Sequence, residues 1–301
     1  MIYGFDIGGT KIAFSVYDQK LNCLYTTSIA TPQDHDVFLT CICDLVLQAD
    51  IKFSCLGKVG VGFPGAINPD DNTVYCVNVA AIKGYPLIEE LSQRLQREIK
   101  FENDANCFLL SECLGGSAEG CATVLGITLG TGLGGAIFVN GGILSGQNCF
   151  AGEIGHYPLP ATVLQAYPEL PILTCACGRK MCLDNYVSGT GLANLYQHYE
   201  NTRLTCPEIL QKFHAGDKNA HKVVNIYFDI LAAGIGTALL ILDADAIVFG
   251  GGLSKFDILI DEISKRLPQH LLKQAKLPLL FHAKFGSEGG VRGAALLNWV
   301  K

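Results

Sequence analysis

This chain is short of charge. Lys, Arg, Asp and Glu make up 17% of its 301 residues, below the usual share of about 25%, so long disordered or charge-rich tails are not expected. Basic residues number 22 against 28 acidic ones, the formal net charge is -6, and no Lys/Arg cluster occurs. Nucleic acid is therefore disfavoured as the main partner, because affinity for it is built from Lys and Arg at phosphates. A leader with a basic start and an apolar centre is not apparent, since Asp6 and Lys11 fall within the first residues. The longest apolar run, Ile230 to Leu242, is bounded by Asp229 and Asp243. It falls short of the roughly 20 residues that a membrane span needs, and a buried core helix is expected instead.

Apolar residues and cysteine are plentiful. Hydrophobic residues form 49% of the chain, enough for a sizeable core, and the length fits one large or two medium domains. Thirteen cysteines without a secretion signal point to a reducing cytoplasm. Most sit singly in apolar surroundings, as Cys41 does, and read as small core residues.

The segment Asp6-Ile7-Gly8-Gly9-Thr10-Lys11 joins two strand-like runs, Ile2-Tyr3-Gly4-Phe5 and Ile12 to Tyr17. Paired glycines let the main chain approach an anion closely, and successive N–H groups form an anion-binding concavity. Thr10 adds a hydroxyl donor and Lys11 a positive charge. A carboxylate at Asp6 is repulsive beside a phosphate unless a cation lies between them, so the set suggests nucleotide phosphates with a divalent metal. A hairpin turn that uses its glycines for conformation alone is the simpler alternative.

Strand and helix signals alternate onwards. Helices are expected near Asp36 to Ala49, from Pro86 to Glu98 and from about Asp104 to Leu114, with strands at Val59 to Gly62 and Ile99 to Phe101. Gly115 to Gly120 reads as a boundary. The pattern then restarts with the strand Thr123 to Leu129, the turn Gly130-Thr131-Gly132-Leu133-Gly134-Gly135 and the strand Ala136 to Val139. This echo suggests an internal duplication of α/β class with the ligand between the halves. Gly130, Gly132 and Gly135 also match G-x-G-x-x-G, but a dinucleotide site needs a helix directly after the glycines, and β-type residues follow here. A third cluster, Gly250-Gly251-Gly252 after the strand Ala246 to Phe249, is either a strand-to-helix turn or a smooth surface for a flat base.

Two further groups carry chemistry. Asp104 follows a strand and opens a helix, whose N-terminus favours the carboxylate anion. An anion there can accept a hydroxyl proton, with Asn103 beside it for a neighbouring hydroxyl, although a plain helix cap is the alternative. Cys175, Cys177 and Cys182 place three thiols within eight residues, and His156 completes a tetrahedral zinc set. Such a closed set leaves no place for substrate, so its role is structural; chance clustering or a redox pair are the alternatives.

Taken together, Tyr3 to Ala13, Asn103 to Phe108, the turn at Gly130 to Gly135, Leu195 to Tyr199, the triple glycine and Gly289 to Ala295 resemble the sugar-kinase members of the ROK family over essentially the whole chain. The resemblance implies a duplicated actin-like, ribonuclease-H-like α/β fold with an interdomain active-site cleft. It implies a small domain over 1–118, joined by a C-terminal helix over 290–301, and a large domain over 119–289. It also implies ATP-dependent phosphorylation of the 6-hydroxyl of N-acetyl-D-glucosamine, with Mg²⁺ and a structural Zn²⁺, in a cytoplasmic homodimer.

Site roles follow the same resemblance. Asp104 matches the catalytic base. Phosphates and nucleotide fall to Gly4, Phe5, Asp6, Ile7, Gly8, Gly9, Thr10, Lys11, Thr131, Gly132, Leu133, Gly134, Gly135, Ala136, Ile137, Phe138 and Val139, with Gly251 and Gly252 at the base. The sugar falls to Gly65, Asn78, Asn103, Asp104, Glu153, His156 and Asp184, and the metal to His156, Cys175, Cys177 and Cys182. Three positions depart from the family pattern: Met181 for glycine, Asp184 for glutamate and Ala80 for proline. Other hexose or amino-sugar kinases, such as a glucokinase or an N-acetylmannosamine kinase, share these motifs. The family's sugar-responsive regulators carry a helix-turn-helix segment, for which a first strand at residue 2 leaves no room.

Overall fold

A computed structural model describes residues 1–299. The chain divides into two units. The first comprises Met1–Glu119, Gly141–Ala151 and the segment from Lys284; the second comprises Gly120–Asn140 and Gly152–Ala283.

The first unit is built on a five-stranded sheet with the order Cys23–Ala30, Lys11–Tyr17, Ile2–Ile7, Lys58–Phe63, Ile99–Asn103. The first three strands are antiparallel neighbours, and the last two lie parallel to Ile2–Ile7. Alternating apolar residues supply one buried cluster, with Tyr3, Phe5, Ile7, Phe14, Val61 and Phe63 meeting Phe38, Ile42 and Val46 of the helix His35–Phe53. That helix starts where Asp34 accepts the Val37 N–H and ends at Ser54, which takes the left-handed conformation.

The second unit repeats the connectivity. Its strands run in the order Leu133–Val139, Thr123–Leu129, Ala246–Gly250, Leu279–His282, the first pair antiparallel and the others parallel. A hairpin followed by parallel strands therefore occurs twice, as the echo in the sequence implies. The apolar run from Ile230 is the C-terminal part of a 25-residue helix, Lys218–Leu242. This helix is long and apolar enough to cross a membrane by length and composition, yet most of it is buried within the unit. Val223, Tyr227, Phe228, Leu231 and Ile235 form the centre of the second core cluster. The expected helix over 290–301 is observed as Gly289–Leu296, and 300–301 lie outside the described residues.

The helix Gly289–Leu296 belongs to the first unit and packs on the strands Ile2–Ile7 and Lys58–Phe63 and on the helix Asp104–Cys113. Close approach is possible because glycines face the contacts. A Cβ on Gly60 would overlap the Ala294 carbonyl oxygen, and one on Gly293 would overlap that of Cys107. Buried Arg292 locks the helix end by donating to the Ser111 carbonyl at 2.8 Å and the Leu114 carbonyl at 2.7 Å, and it stacks 4.0 Å over the Phe285 ring. Buried Glu112 accepts the N–H groups of Lys284 and Phe285 at 3.0 and 2.9 Å. Gly60→Ala is expected to destabilise the protein by about 1–3 kcal/mol through overpacking, read as a lower urea midpoint or melting temperature. An unchanged midpoint would contradict this contact.

Candidate active site

Each unit carries a three-residue turn between paired strands. In the first unit Gly8, Gly9 and Thr10 join Ile2–Ile7 to Lys11–Tyr17, and Gly8 N–H bonds the Lys11 carbonyl at 2.9 Å. In the second, Gly130, Thr131 and Gly132 join Thr123–Leu129 to Leu133–Val139, and Gly130 N–H bonds the Gly132 carbonyl at 3.0 Å. Thr10, Lys11, Thr131 and Gly132 are exposed. The flanking residues named as phosphate contacts are placed differently. Gly4, Phe5, Ile7, Leu133, Gly135, Ala136, Ile137 and Phe138 are buried strand residues, while Gly134 and Val139 are half-buried in the same ladder. Of the expected phosphate contacts, Thr10, Lys11, Thr131 and Gly132 are therefore the exposed ones.

Asp6 is the next-to-last residue of the first strand and lies beside the helix Gly289–Leu296, where a Cβ on Gly290 would lie 2.6 Å from its Oδ2. The sequence motif contains Gly290, but only the fold reveals that its small size makes room for a carboxylate. Burial, with Asp104 nearby and only partly offset by Lys11, pushes the Asp6 carboxyl up to about 6. Asp104 is the first residue of the helix Asp104–Cys113, and its Oδ1 accepts the Ala105 N–H at 2.9 Å. The helix start was expected to favour the anion. Burial outweighs it, so the Asp104 carboxyl also titrates above the usual carboxylate range. A raised value strengthens the group as a proton acceptor once ionised.

Other residues expected at the site belong to the same unit. Asn103 caps the helix by accepting the Ala105 N–H at 2.9 Å and donates to the Gly65 carbonyl at 3.1 Å, so its amide holds the helix start to the Gly65 loop. Gly65 has φ of 147°, with no room for a Cβ against the Tyr75 carbonyl. Asn78 is exposed, and its backbone carbonyl closes on Gly9. Sequence reasoning missed Glu102 and Ser145. Glu102 accepts the Asn106 amide at 2.8 Å and the Ser145 hydroxyl at 2.6 Å, which ties the segment Gly141–Ala151 to the strand Ile99–Asn103 and the helix Asp104–Cys113. No local motif signals that contact.

The second unit brings His156, Cys175, Cys177 and Cys182 together, with all four donor atoms within 4.8 Å of one another. Cys177 and Cys182 sulfurs are 3.6 Å apart, and Cys175 Sγ lies 3.6 Å from His156 Nδ1. A tetrahedron with metal–sulfur bonds of about 2.3 Å has edges of about 3.8 Å, so this donor set fits a tetrahedral metal. With Nδ1 turned to the sulfurs, His156 Nε2 lies 3.8 Å from Glu153 Oε2. Asp184 does something not anticipated: its Oδ1 accepts the Leu133 N–H at 2.6 Å, at the end of the second turn.

A cavity of about 1040 Å³ opens beside that turn, lined among others by Thr131, Asn194, Arg203, Leu204 and Gly252. Gly252 leaves open space, while Gly251, with φ of 83°, packs against the Leu129 carbonyl. The cavity's helix residues were not identified from the sequence, since they converge from separate helices and a loop.

The duplicated fold and these turns define an ATP-dependent sugar kinase of the actin-like class, and the ROK family model matches residues 2–300, so the chain belongs to that family. It is 44% identical over 300 residues to the N-acetyl-D-glucosamine kinase of Shigella boydii serotype 4, covering 99% of each chain. Among solved structures, a ROK hexokinase from Thermus thermophilus superposes with a TM-score of 0.87 at 26% identity, covering 98% of this chain and 96% of that one. A ROK glucokinase from Streptomyces griseus, in complex with glucose and AMPPNP, gives 0.76 at 28% identity with 98% of each chain covered.

The Asp6 carboxyl has a folded value near 6, above its value of 3.8 when unfolded. Its protonated form is favoured by folding, so this contribution is full below about 3.8 and is lost as pH rises through about 6. Asp6→Asn is therefore expected to raise the melting temperature of the ligand-free protein at pH 7.5 and to narrow the difference from wild type at pH 5. A variant less stable than wild type at pH 7.5 would contradict this electrostatic account.

Proposed function

We propose that this chain transfers the γ-phosphoryl group of ATP to the 6-hydroxyl of N-acetyl-D-glucosamine. The observation that carries the chemistry is the half-buried Asp104 carboxyl at a helix start, close enough to Asp6 for each to raise the cost of ionising the pair. The sugar is read from the full-length relatives of that name. A glucokinase reading has one specific support, the likeness to a glucose complex at lower identity.

The sugar is held by Gly65, Asn78, Asn103, Glu153 and His156. Asp104 accepts the 6-hydroxyl proton as that oxygen forms a bond to the γ-phosphorus, and the bond from the γ-phosphorus to the β-bridging oxygen breaks to release ADP. Thr10, Lys11, Thr131 and the turn amides bind the phosphates, and Asp6 orients hydrated Mg²⁺, which supplies charge neutralisation at the phosphates. The cavity beside Thr131 and Gly252 takes the nucleoside. Keeping water from the reacting centre limits wasteful hydrolysis of ATP.

Structural zinc is the metal we assign to His156, Cys175, Cys177 and Cys182, because thiolate and imidazole donors at tetrahedral spacing suit it. The cluster then fixes His156 and, three residues away, Glu153. A cytoplasmic setting agrees with thirteen cysteines and no disulfide among the described residues. Homodimer assembly is supported by family resemblance and by exposed apolar residues such as Leu240 and Ile241.

Asp104→Asn is expected to lower kcat at least a thousandfold while leaving the Kd for N-acetyl-D-glucosamine within about threefold; near-normal turnover would remove Asp104 as the base. ADP release should be greatest with N-acetyl-D-glucosamine in a panel with glucose, N-acetylmannosamine and no sugar. Release with glucose alone would move the assignment to glucokinase, and equal release without sugar would end the kinase reading. Purified protein should hold about one zinc per chain by elemental analysis, most of it lost in Cys177→Ser.

A further inference from the structure

Asp184 stands where a sugar ligand is expected, yet its observed contact is with the second turn. Its Oδ1 accepts the Leu133 N–H at 2.6 Å. Two more bonds come from the residues just after it: Gly189 N–H reaches the Gly130 carbonyl at 2.8 Å, and Thr190 N–H reaches the Thr131 carbonyl at 3.2 Å. One stretch of seven residues, Asp184 to Thr190, therefore grips Gly130, Thr131 and Leu133, while Thr131 and Gly132 stay exposed. The fit is close, because a Cβ on Gly132 would lie 3.2 Å from the same Oδ1.

The backbone that carries this carboxylate is itself held on both sides. Asp184 carbonyl accepts the Ser188 hydroxyl at 2.7 Å. Two residues earlier Cys182 joins the Cys/His cluster, and Leu183 N–H bonds the Tyr157 carbonyl at 3.0 Å. The neighbouring residue of His156, Gly155, packs against the Leu133 carbonyl, where a Cβ would not fit.

From this arrangement we infer that Asp184 is a positioning residue for the nucleotide phosphates, acting through the Leu133 amide. A turn that presents donors to an anion must keep its shape when the anion arrives, and a charged acceptor on one of its amides holds that shape better than a neutral one. Loss of the acceptor leaves the Leu133 N–H unpaired and the turn free to relax, so nucleotide binding weakens. The inference rests on the reading of Gly130 to Leu133 as a phosphate turn.

Binding measurements test it without turnover. Mg²⁺–AMPPNP and N-acetyl-D-glucosamine are titrated separately into wild type, Asp184→Ala and Asp184→Asn by calorimetry, with metal content measured on each protein. Asp184→Ala should weaken AMPPNP at least tenfold and the sugar less than twofold, with metal content unchanged. Asp184→Asn keeps an oxygen that can accept the Leu133 N–H, and should restore AMPPNP affinity to within about threefold. Lost sugar affinity with intact nucleotide affinity would make Asp184 a sugar ligand and overturn the inference. Equal loss of both ligands, or loss of the metal, would reduce Asp184 to a structural role and overturn it as well. Wild-type protein that binds no AMPPNP would remove the phosphate-turn reading itself, whereas unaltered AMPPNP binding by Asp184→Ala removes this inference alone.

Discussion

Close packing of the C-terminal helix Gly289–Leu296 on the first sheet is the constraint from which the surroundings of Asp6 and Asp104 follow. Backbone touches backbone at Gly60 and Gly293, where no side chain larger than hydrogen fits. This brings Gly290 against the Asp6 carboxylate and sets the helix alongside Asp104–Cys113. Contacts of this kind gain from dispersion over many atoms and fix position tightly, because interiors packed to crystal density do not deform continuously. Arg292 and Glu112, both buried, satisfy backbone groups where the helix joins the rest of the unit. Without those partners the same burial would leave charges uncompensated at a cost of several kcal/mol.

The packing also creates the electrostatic character of the site. Two carboxyl groups, Asp6 and Asp104, share a partly desolvated space with Lys11 as the nearby cation. Desolvation raises both toward neutrality. Such a pair is poorly suited to maximal stability, because each carboxylate opposes the ionisation of the other. That is the usual compromise where function uses strain or repulsion that folding must offset elsewhere.

In the second unit a different device does the corresponding work. A three-residue turn is gripped by one short stretch of chain that begins at Asp184, directly after a cysteine of the metal-binding cluster. Glu153 and His156 on one side and the turn Gly130 to Gly132 on the other are thereby referred to the same group of residues. Rigid support of this kind is what a transfer reaction needs, since displacements of about 1 Å at the reacting atoms are costly in rate.

Much of this was legible in the order of residues. Two glycine turns between strands, the α/β alternation, the duplication, the buried apolar helix and the Cys/His cluster are local patterns, because hydrophobic periodicity, glycine turns and ligand spacing act over a few residues. Family likeness added the roles of Asp104 and of the sugar contacts. Tertiary structure alone decided the rest. It buried most of the strand residues flanking both turns and left Thr10, Lys11, Thr131 and Gly132 exposed. It raised the Asp104 carboxyl against the pull of its own helix, since desolvation depends on what packs around a group and not on its neighbours in sequence. It turned Asp184 toward the Leu133 amide, 51 residues away, and gathered the cavity wall from separate helices. The sequence by itself determined which turns and clusters form; which atoms of them face a ligand was settled by long-range packing, which no local pattern encodes.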